Sequence, residues 1–167
     1  MKRAALSRDE LFAILDTVKD PEVPVLSVVE LGIVRDATAT EEGTVVTITP
    51  TYSGCPAMHV IETEIRQALE AEGAGPVEIR TTFTPAWTTD WIGAGARAKL
   101  EAYGIAAPGP AVDSGDLVVL QRRVATIRCP YCQSRDTIRR SEFGSTACKA
   151  ILFCNGCHQP FELFKAI

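Results

Sequence analysis

The chain has 167 residues, 46% hydrophobic and 23% charged, with a formal net charge of −4. This composition is enough for one core of roughly 100 to 150 residues and a small additional unit. It excludes a membrane span, since no apolar stretch approaches about 18 residues. The N-terminal segment Met1–Ala5 leads into a charged helix rather than an apolar signal core. We therefore expect a cytoplasmic protein with no membrane partner.

The charge is unevenly distributed along the chain. Residues 1–120 hold 9 Lys and Arg against 18 Asp and Glu, whereas residues 121–167 hold 8 against 3. A basic tail of this kind is able to contact nucleic acid, but a whole-chain pI near 5.2 opposes non-specific binding to a polyanion. Docking of the tail onto an acidic protein surface is the favoured interpretation.

The first predicted element is a helix that begins after Ser7, because Ser7 and Glu10 have the spacing of a capping box. Its apolar residues share one face up to about Val18, and two prolines then end it. Strands are predicted over residues 32–40 and 44–51, joined as a hairpin by a glycine-containing turn.

A second helix is predicted over residues 56–72, followed by a strand over 77–83 and a third helix over about 90–103. Trp87 and Trp91 lie four positions apart near the third helix, a spacing usual for core aromatics but also compatible with an exposed recognition patch. The order α-β-β-α-β-α indicates a compact two-layer α+β domain.

Composition divides the chain into three predicted segments. Residues 1–107 form the α+β domain, and the proline- and glycine-rich residues 108–120 form a linker. Residues 121–167 form a small β zinc ribbon with short strands beside its cysteines.

Four cysteines of the tail form two C-x2-C pairs, Cys129 with Cys132 and Cys154 with Cys157, separated by twenty-one residues. Two such knuckles complete the tetrahedral sulfur shell of a structural zinc ion. In a reducing compartment a metal explains them better than disulfides do. Zinc is the simplest occupant, although four thiolates also hold iron and the spacing does not separate the two metals. Cys148, the odd thiol, is a candidate replacement ligand or a free reactive thiol for a partner, but packing as a small apolar residue is the favoured interpretation.

Cys55 lies far from the ribbon, at the predicted junction of a strand and the second helix, with Pro56 as the first helical residue. Free amides and the helix dipole are expected to lower the pKa of this thiol, which favours a nucleophile or a soft-metal ligand. His59, four residues on and predicted on the same helical face, is a candidate second ligand or proton relay. The plain alternative is a packing cysteine beside an exposed histidine.

Classical thiol catalysis is disfavoured, since the chain has two histidines and one of them, His158, lies in the ribbon. Transient binding of iron or an iron-sulfur cluster is the better use of Cys55. One cysteine does not hold a cluster alone. The remaining ligands must come from a second copy in a homodimer, from a partner protein, or from the oxygens of Asp20, Glu22 or Glu30.

Two stretches of the sequence resemble a known family. The segments 20–34 (DPEVPVLSVVELGIV) and 51–56 (TYSGCP) resemble the small iron-sulfur assembly domain of SufT-type proteins and of the D subunit of phenylacetyl-CoA oxygenase. The D subunit is the closer match, because the segments 85–91 and 142–150 and the ending near 160–162 are also similar to it. The resemblance covers nearly the whole chain, including the ribbon.

This resemblance implies a non-catalytic accessory protein of aerobic phenylacetate breakdown that assists assembly or insertion of an iron-sulfur cluster or metal centre. Its implied partners are the oxygenase and reductase subunits of the multicomponent ring epoxidase, or iron-sulfur assembly proteins. The absence of a Glu-x-x-His di-iron pattern and of a dinucleotide fingerprint agrees with a non-catalytic role. The implied transfer site comprises Cys55, the acidic loop residues Asp20 and Glu22, and the neighbouring Thr51, Gly54 and His59.

Two other functions remain open from the sequence. The first alternative is a structural adaptor of the oxygenase complex with no role in metal transfer. The second is a nucleic-acid-binding ribbon that uses the arginines between Arg122 and Arg140.

Overall fold

The computed structural model describes residues 6–52, 54–109 and 127–166. The contacts between residues divide the chain into two units, Met1–Trp87 and Thr88–Ile167. This division differs from the predicted boundary at residue 107, since the third helix falls in the second unit. Of the predicted linker over 108–120, residues 110–120 lie outside the described residues, as do Arg122 and Arg123.

The first unit is a three-stranded sheet with two helices. Its elements are α1 (Arg8–Leu15), β1 (Val34–Ala39), β2 (Thr44–Ile48), α2 (Met58–Ala71) and β3 (Val77–Thr81). The strand order is β1-β2-β3, in which β1 and β2 are antiparallel and β2 and β3 are parallel. Parallel neighbours need a crossover connection, and α2 supplies it.

Helix α1 begins at the predicted capping box. The backbone N–H of Ser7 donates to Glu10 Oε2 over 2.8 Å, and the backbone N–H of Glu10 donates to Ser7 Oγ over 3.3 Å. The helix ends at Leu15, earlier than the predicted Val18. Leu11 and Leu15 are fully buried, and α1 contacts both β1 and α2. The two helices thus form one layer and the sheet the other, which confirms the predicted α+β class.

Buried and half-buried side chains alternate along β2. Val46 and Ile48 are fully buried, whereas Val45 and Thr47, which alternate with them, are half-buried. Because side chains of a strand point alternately to its two faces, one face of β2 lies on the core.

Trp87 belongs to the core of the first unit. Its side chain is 4% exposed, and the indole N–H donates to the backbone oxygen of Leu31 over 2.8 Å. Trp91 is half-buried and lies in the second unit. The core interpretation of Trp87 is therefore correct, and the two tryptophans do not lie on one helix.

The second unit contains a four-stranded sheet and one α-helix. Its elements are a 3-10 turn (Thr89–Trp91), α3 (Ala94–Tyr103), β4 (Ile105–Ala106), β5 (Thr137–Ser141), β6 (Lys149–Cys154) and β7 (Pro160–Phe164). The strand order is β4-β7-β6-β5, with β4 parallel to β7 and the other pairs antiparallel. Helix α3 starts later than predicted, because Gly93 has an extended backbone and acts as the N-cap.

The core of the second unit includes two of the ribbon cysteines. Cys129 and Cys154 are fully buried together with apolar residues of β4, β6 and β7, namely Ala106, Ala150, Leu152, Phe161 and Leu163. Cys148 is also buried, as its predicted packing role requires, and its sulfur lies 3.0 Å from Thr146 Oγ1. Within the described part of the chain, no helix combines the length and apolar character needed to cross a bilayer.

Replacing the indole of Trp87 tests the first core. Trp87→Phe leaves the buried Leu31 oxygen without its donor, and we expect the opening free energy of the β1–β3 sheet to fall by about 1 to 3 kcal/mol. Native-state hydrogen exchange of peptides from this sheet measures the change. Trp91→Phe is the control and should leave these peptides unaffected. Equal exchange in the wild type and Trp87→Phe would contradict this role.

Candidate metal centre and thiol site

The four cysteines of the C-x2-C pairs converge on one point in the second unit. Their sulfur atoms all lie within 4.8 Å of one another. Cys129 Sγ lies 3.7 Å from Cys157 Sγ, and Cys132 Sγ lies 3.5 Å from Cys154 Sγ. The edges of a tetrahedron with zinc-sulfur bonds of about 2.3 Å are about 3.8 Å long. The donor set therefore fits a tetrahedral metal ion.

Both knuckles close with the same backbone turn. Gln133 and His158, which directly follow the second cysteine of each pair, have φ angles of 61° and 59°. Their amides donate to the carbonyl oxygens of Cys129 and Cys154, each over 2.9 Å. The left-handed residue turns the chain back after each pair and lets both sulfurs of the pair face the same point. His158 has this backbone role, and its side chain is exposed.

The thiols of the cluster differ in burial and in proton affinity. Cys132 is exposed and Cys157 is half-buried. A hydrogen bond from the Cys157 amide lowers the pKa of Cys154 to about 7, whereas burial raises the pKa of Cys157 to about 12. A bound cation favours the thiolate form of every ligand, so metal binding releases protons from this cluster.

The first knuckle packs against the end of α3. Gly104 ends this helix in a left-handed conformation with φ 91°. A Cβ atom at Gly104 would lie 2.8 Å from the hydroxyl oxygen of Tyr131, which stands between Cys129 and Cys132. Only glycine therefore satisfies both the backbone angle and the close approach. Nothing in the sequence pattern indicated this contact.

Substituting this glycine should weaken the cluster. We expect Gly104→Ala to destabilise the second unit by about 1 to 2 kcal/mol through the left-handed backbone alone, and further by displacing Tyr131. Gly95→Ala is the matched control, because Gly95 lies within α3 with open space around it and alanine favours helices by about 1 kcal/mol. Metal release to a chromophoric chelator should be faster in the first variant and unchanged or slower in the second. The opposite ranking would refute the contact.

Cys55 lies in a tight turn before α2. Its amide donates to the carbonyl oxygen of Tyr52 over 3.3 Å, and Gly54, at the third position of this turn, has φ 103°. A positive φ at that position is typical of a type II turn and explains the glycine. Helix α2 begins only at Met58. The prediction that Pro56 starts the helix is therefore wrong, because an additional turn separates Cys55 from it.

The predicted lowering of the Cys55 pKa is also wrong. Burial raises the pKa of this half-buried thiol above its ordinary value. Hydrogen bonds from the amide of Ala57 and the side chain of Tyr52 oppose the rise, and the charges of Glu22 and Asp20 add to it. Cys55 is therefore a protonated thiol at neutral pH. Tyr52 was not among the predicted site residues, although it is in the same turn.

The acidic loop lies close enough to Cys55 to act on its charge, and Asp20 shapes that loop. Asp20 is 6% exposed, and its Oδ1 accepts hydrogen bonds from the amides of Glu22 (2.7 Å) and Val23 (2.8 Å). The ligand atoms of Cys55, Asp20 and Glu22 do not converge as those of the ribbon do. Among the described residues, only the four ribbon cysteines form such a compact group.

Thr51 and His59 occupy different environments near the thiol. Thr51 is buried, and His59 is exposed at the second position of α2. The prediction that Cys55 and His59 share a helical face does not hold, since Cys55 precedes the helix.

The raised pKa predicts slow alkylation of Cys55 at neutral pH. Because iodoacetamide reacts with the thiolate, the midpoint of the rate against pH should lie above that of an unstructured cysteine peptide. Glu22→Gln removes a negative charge and should lower this midpoint, so that alkylation is faster at mildly alkaline pH. Glu64→Gln, an exposed acid of α2, serves as the control. Mass spectrometry of the Cys55 peptide measures the rate. A midpoint below that of the peptide would contradict the assignment.

Comparison with known proteins finds relatives of both the α+β part of the chain and the cysteine-containing ribbon. A family model described as "PaaD zinc beta ribbon domain" matches residues 113–165, and one described as "Iron-sulfur cluster assembly protein" matches residues 8–80. An Escherichia coli K12 protein, named as the putative D subunit of 1,2-phenylacetyl-CoA epoxidase, is 44% identical over 158 residues, which cover 95% of this chain and 92% of that protein. The chain belongs to the PaaD family. The resemblance seen in the sequence is thereby confirmed.

Other relatives match a little over half of this PaaD-family chain. A Porphyromonas gingivalis protein named "Fe-S protein maturation auxiliary factor" is 35% identical over 88 residues, covering 52% of the chain and 83% of that protein. A domain of unknown function, DUF59, from Bacillus anthracis has 30% identity and a TM-score of 0.52, over 56% of this chain and 90% of its own. A conserved hypothetical protein from Thermotoga maritima has 29% identity and a TM-score of 0.51, over 59% and 97%. The fold of the α+β domain is thus a known one.

Proposed function

We propose that this PaaD-family protein is a non-catalytic accessory protein of a phenylacetyl-CoA epoxidase system that assists assembly or insertion of an iron-sulfur cluster or metal centre. Two similarities support the role: the Escherichia coli relative is named as an epoxidase subunit, and the Porphyromonas gingivalis relative as a maturation factor. The observation that carries the mechanism is the half-buried thiol of Cys55, held in a turn beside the charges of Asp20 and Glu22.

The chemistry of Cys55 suits reversible loading. An iron cation that binds the sulfur displaces the thiol proton, and the nearby carboxylates of Asp20 and Glu22 attract the cation by their charge. Burial, together with the same carboxylates, raises the pKa of the thiol and keeps it protonated, which makes it a poor nucleophile. One thiolate holds a metal weakly, and a cluster takes most of its ligands from elsewhere. A second copy of the chain or the client protein would supply them.

The ribbon has a separate task in this proposal. A structural zinc ion would be held by Cys129, Cys132, Cys154 and Cys157. Two of their sulfur pairs lie 3.7 and 3.5 Å apart, close to the edge of a zinc-sulfur tetrahedron, and the matching family model describes a zinc ribbon domain. The closed four-sulfur shell leaves no open position for chemistry. The ion would supply free energy of folding to a small unit whose core includes two of its own ligands.

The proposed partners are the oxygenase and reductase subunits of the epoxidase, or iron-sulfur assembly proteins. The compartment that we propose for this protein and its partners is the cytoplasm. A reducing environment of that kind keeps the six cysteines of the chain as thiols.

Metal analysis of anaerobically purified protein, before and after addition of iron and sulfide, tests the proposal. We compare the wild type with Cys55→Ala and with Cys154→Ser as a ribbon control. We expect about one zinc in the wild type and in Cys55→Ala. Iron uptake with charge-transfer absorption should occur in the wild type and be lost in Cys55→Ala. Cys154→Ser should lose zinc, since one ligand of four is removed.

The alternative outcome favours the adaptor function. If the wild type and Cys55→Ala both contain zinc alone and neither takes up iron, Cys55 is not a transfer site. An adaptor would bind the other epoxidase subunits equally well in both forms.

A further inference from the structure

The first unit exposes few large apolar side chains. Among its described residues, the two that stand out are Val60, with 43% of its surface exposed, and Phe83, with 62% exposed. A single exposed apolar side chain is ordinary on a protein surface. Two of them in segments that leave the sheet edge carrying a candidate reactive group suggest an interaction site.

The topology places both residues at the same edge as Cys55. Because β2 and β3 are parallel, their carboxyl ends lie together, and α2 begins at that edge. The amide of Thr82 donates to the carbonyl oxygen of Ile48 over 2.9 Å, which sets the start of the loop after β3 level with the end of β2. Phe83 is the next residue of that loop, and Val60 lies in the first turn of α2.

Metal transfer from a thiolate requires direct contact between the two proteins. The receiving ligand has to reach the metal while Cys55 still holds it, within bond lengths of about 2.3 Å. The surface around Cys55 is therefore the surface that an acceptor must touch. Exposed aromatic side chains at the centre of such a contact commonly supply much of the binding free energy.

The charge of the first unit indicates the character of the acceptor. Residues 1–87 contain 14 Asp and Glu against 7 Lys and Arg. Both charged residues that act on Cys55 are acidic; of these Glu22 is half-buried, whereas Asp20 is buried. A partner with basic residues around an apolar patch complements this surface.

We propose that Phe83 and Val60 form a contact surface at the sheet edge that carries Cys55. Through this surface the protein docks onto another component of the epoxidase, whose complementary patch is apolar with a basic rim. The inference rests on the proposed function and names the partner surface that it requires.

Binding of the purified oxygenase and reductase components of the same epoxidase system, measured by isothermal titration calorimetry, tests this docking. Phe83→Ser should weaken binding of one component by about tenfold or more, and Val60→Ser by less. Phe143→Ser is the matched control, because this phenylalanine of the second unit is equally exposed at 66%. It should leave the affinity unchanged. Binding by the wild type should weaken as salt is raised.

Several results would overturn the proposal. One is a loss of affinity in Phe143→Ser but not in Phe83→Ser, which would place the contact in the second unit. Others are unchanged binding in Phe83→Ser, or no binding of either component by the wild type. A wild-type dimer in sedimentation that Phe83→Ser dissociates would show that a second copy occupies this surface.

A separate readout distinguishes docking from metal binding. Iron uptake by isolated Phe83→Ser should equal that of the wild type, since an exposed side chain is not needed to hold the ion. If the wild type takes up no iron yet binds a component through Phe83, the transfer function fails and the docking surface stands. If iron uptake is normal but binding does not depend on Phe83, the docking proposal fails alone.

Discussion

The parallel pairing of β2 with β3 determines where the candidate residues of the first unit lie. Parallel strands require a crossover, and α2 provides it, so the loop from β2 to α2 and the loop after β3 leave the sheet at the same edge. Cys55 lies in the first loop and Phe83 in the second. An antiparallel pairing would have put the end of β3 at the opposite edge. The loops that carry the thiol and the exposed phenylalanine thus leave the same edge as a consequence of strand direction.

The pKa of the Cys55 thiol is set by burial more than by the helix that follows. Had α2 begun at Pro56, free amides and the helix dipole would have favoured the thiolate. The additional turn leaves the amide of Ala57 as a donor, while burial and two carboxylates favour the protonated form. Such a group reacts slowly with adventitious electrophiles and gives up its proton when a cation binds. In the proposed transfer function, burial would protect the thiol before loading and the two carboxylates would attract the metal.

The second unit shows a different use of cysteine. Two of its four clustered sulfurs are fully buried among apolar side chains, and the knuckle that carries Tyr131 rests on the glycine that ends α3. Ligand geometry and packing are therefore linked, so that a change at Gly104 reaches the sulfur cluster through contact. The strand β4, which directly follows this glycine, pairs with β7 and extends the ribbon sheet.

The sequence by itself determined the elements and the metal-binding pattern. Capping, apolar periodicity and C-x2-C spacing are local, and they predicted α1, the hairpin, the α+β class and the four ribbon cysteines. The tertiary structure decided what depends on distant neighbours. The start of α2, the direction of the Cys55 pKa and the placement of Trp87 against Leu31 arise from burial and from contacts across the chain. The close approach of Gly104 to Tyr131 is of the same kind, because a sequence pattern carries no information on which surfaces meet.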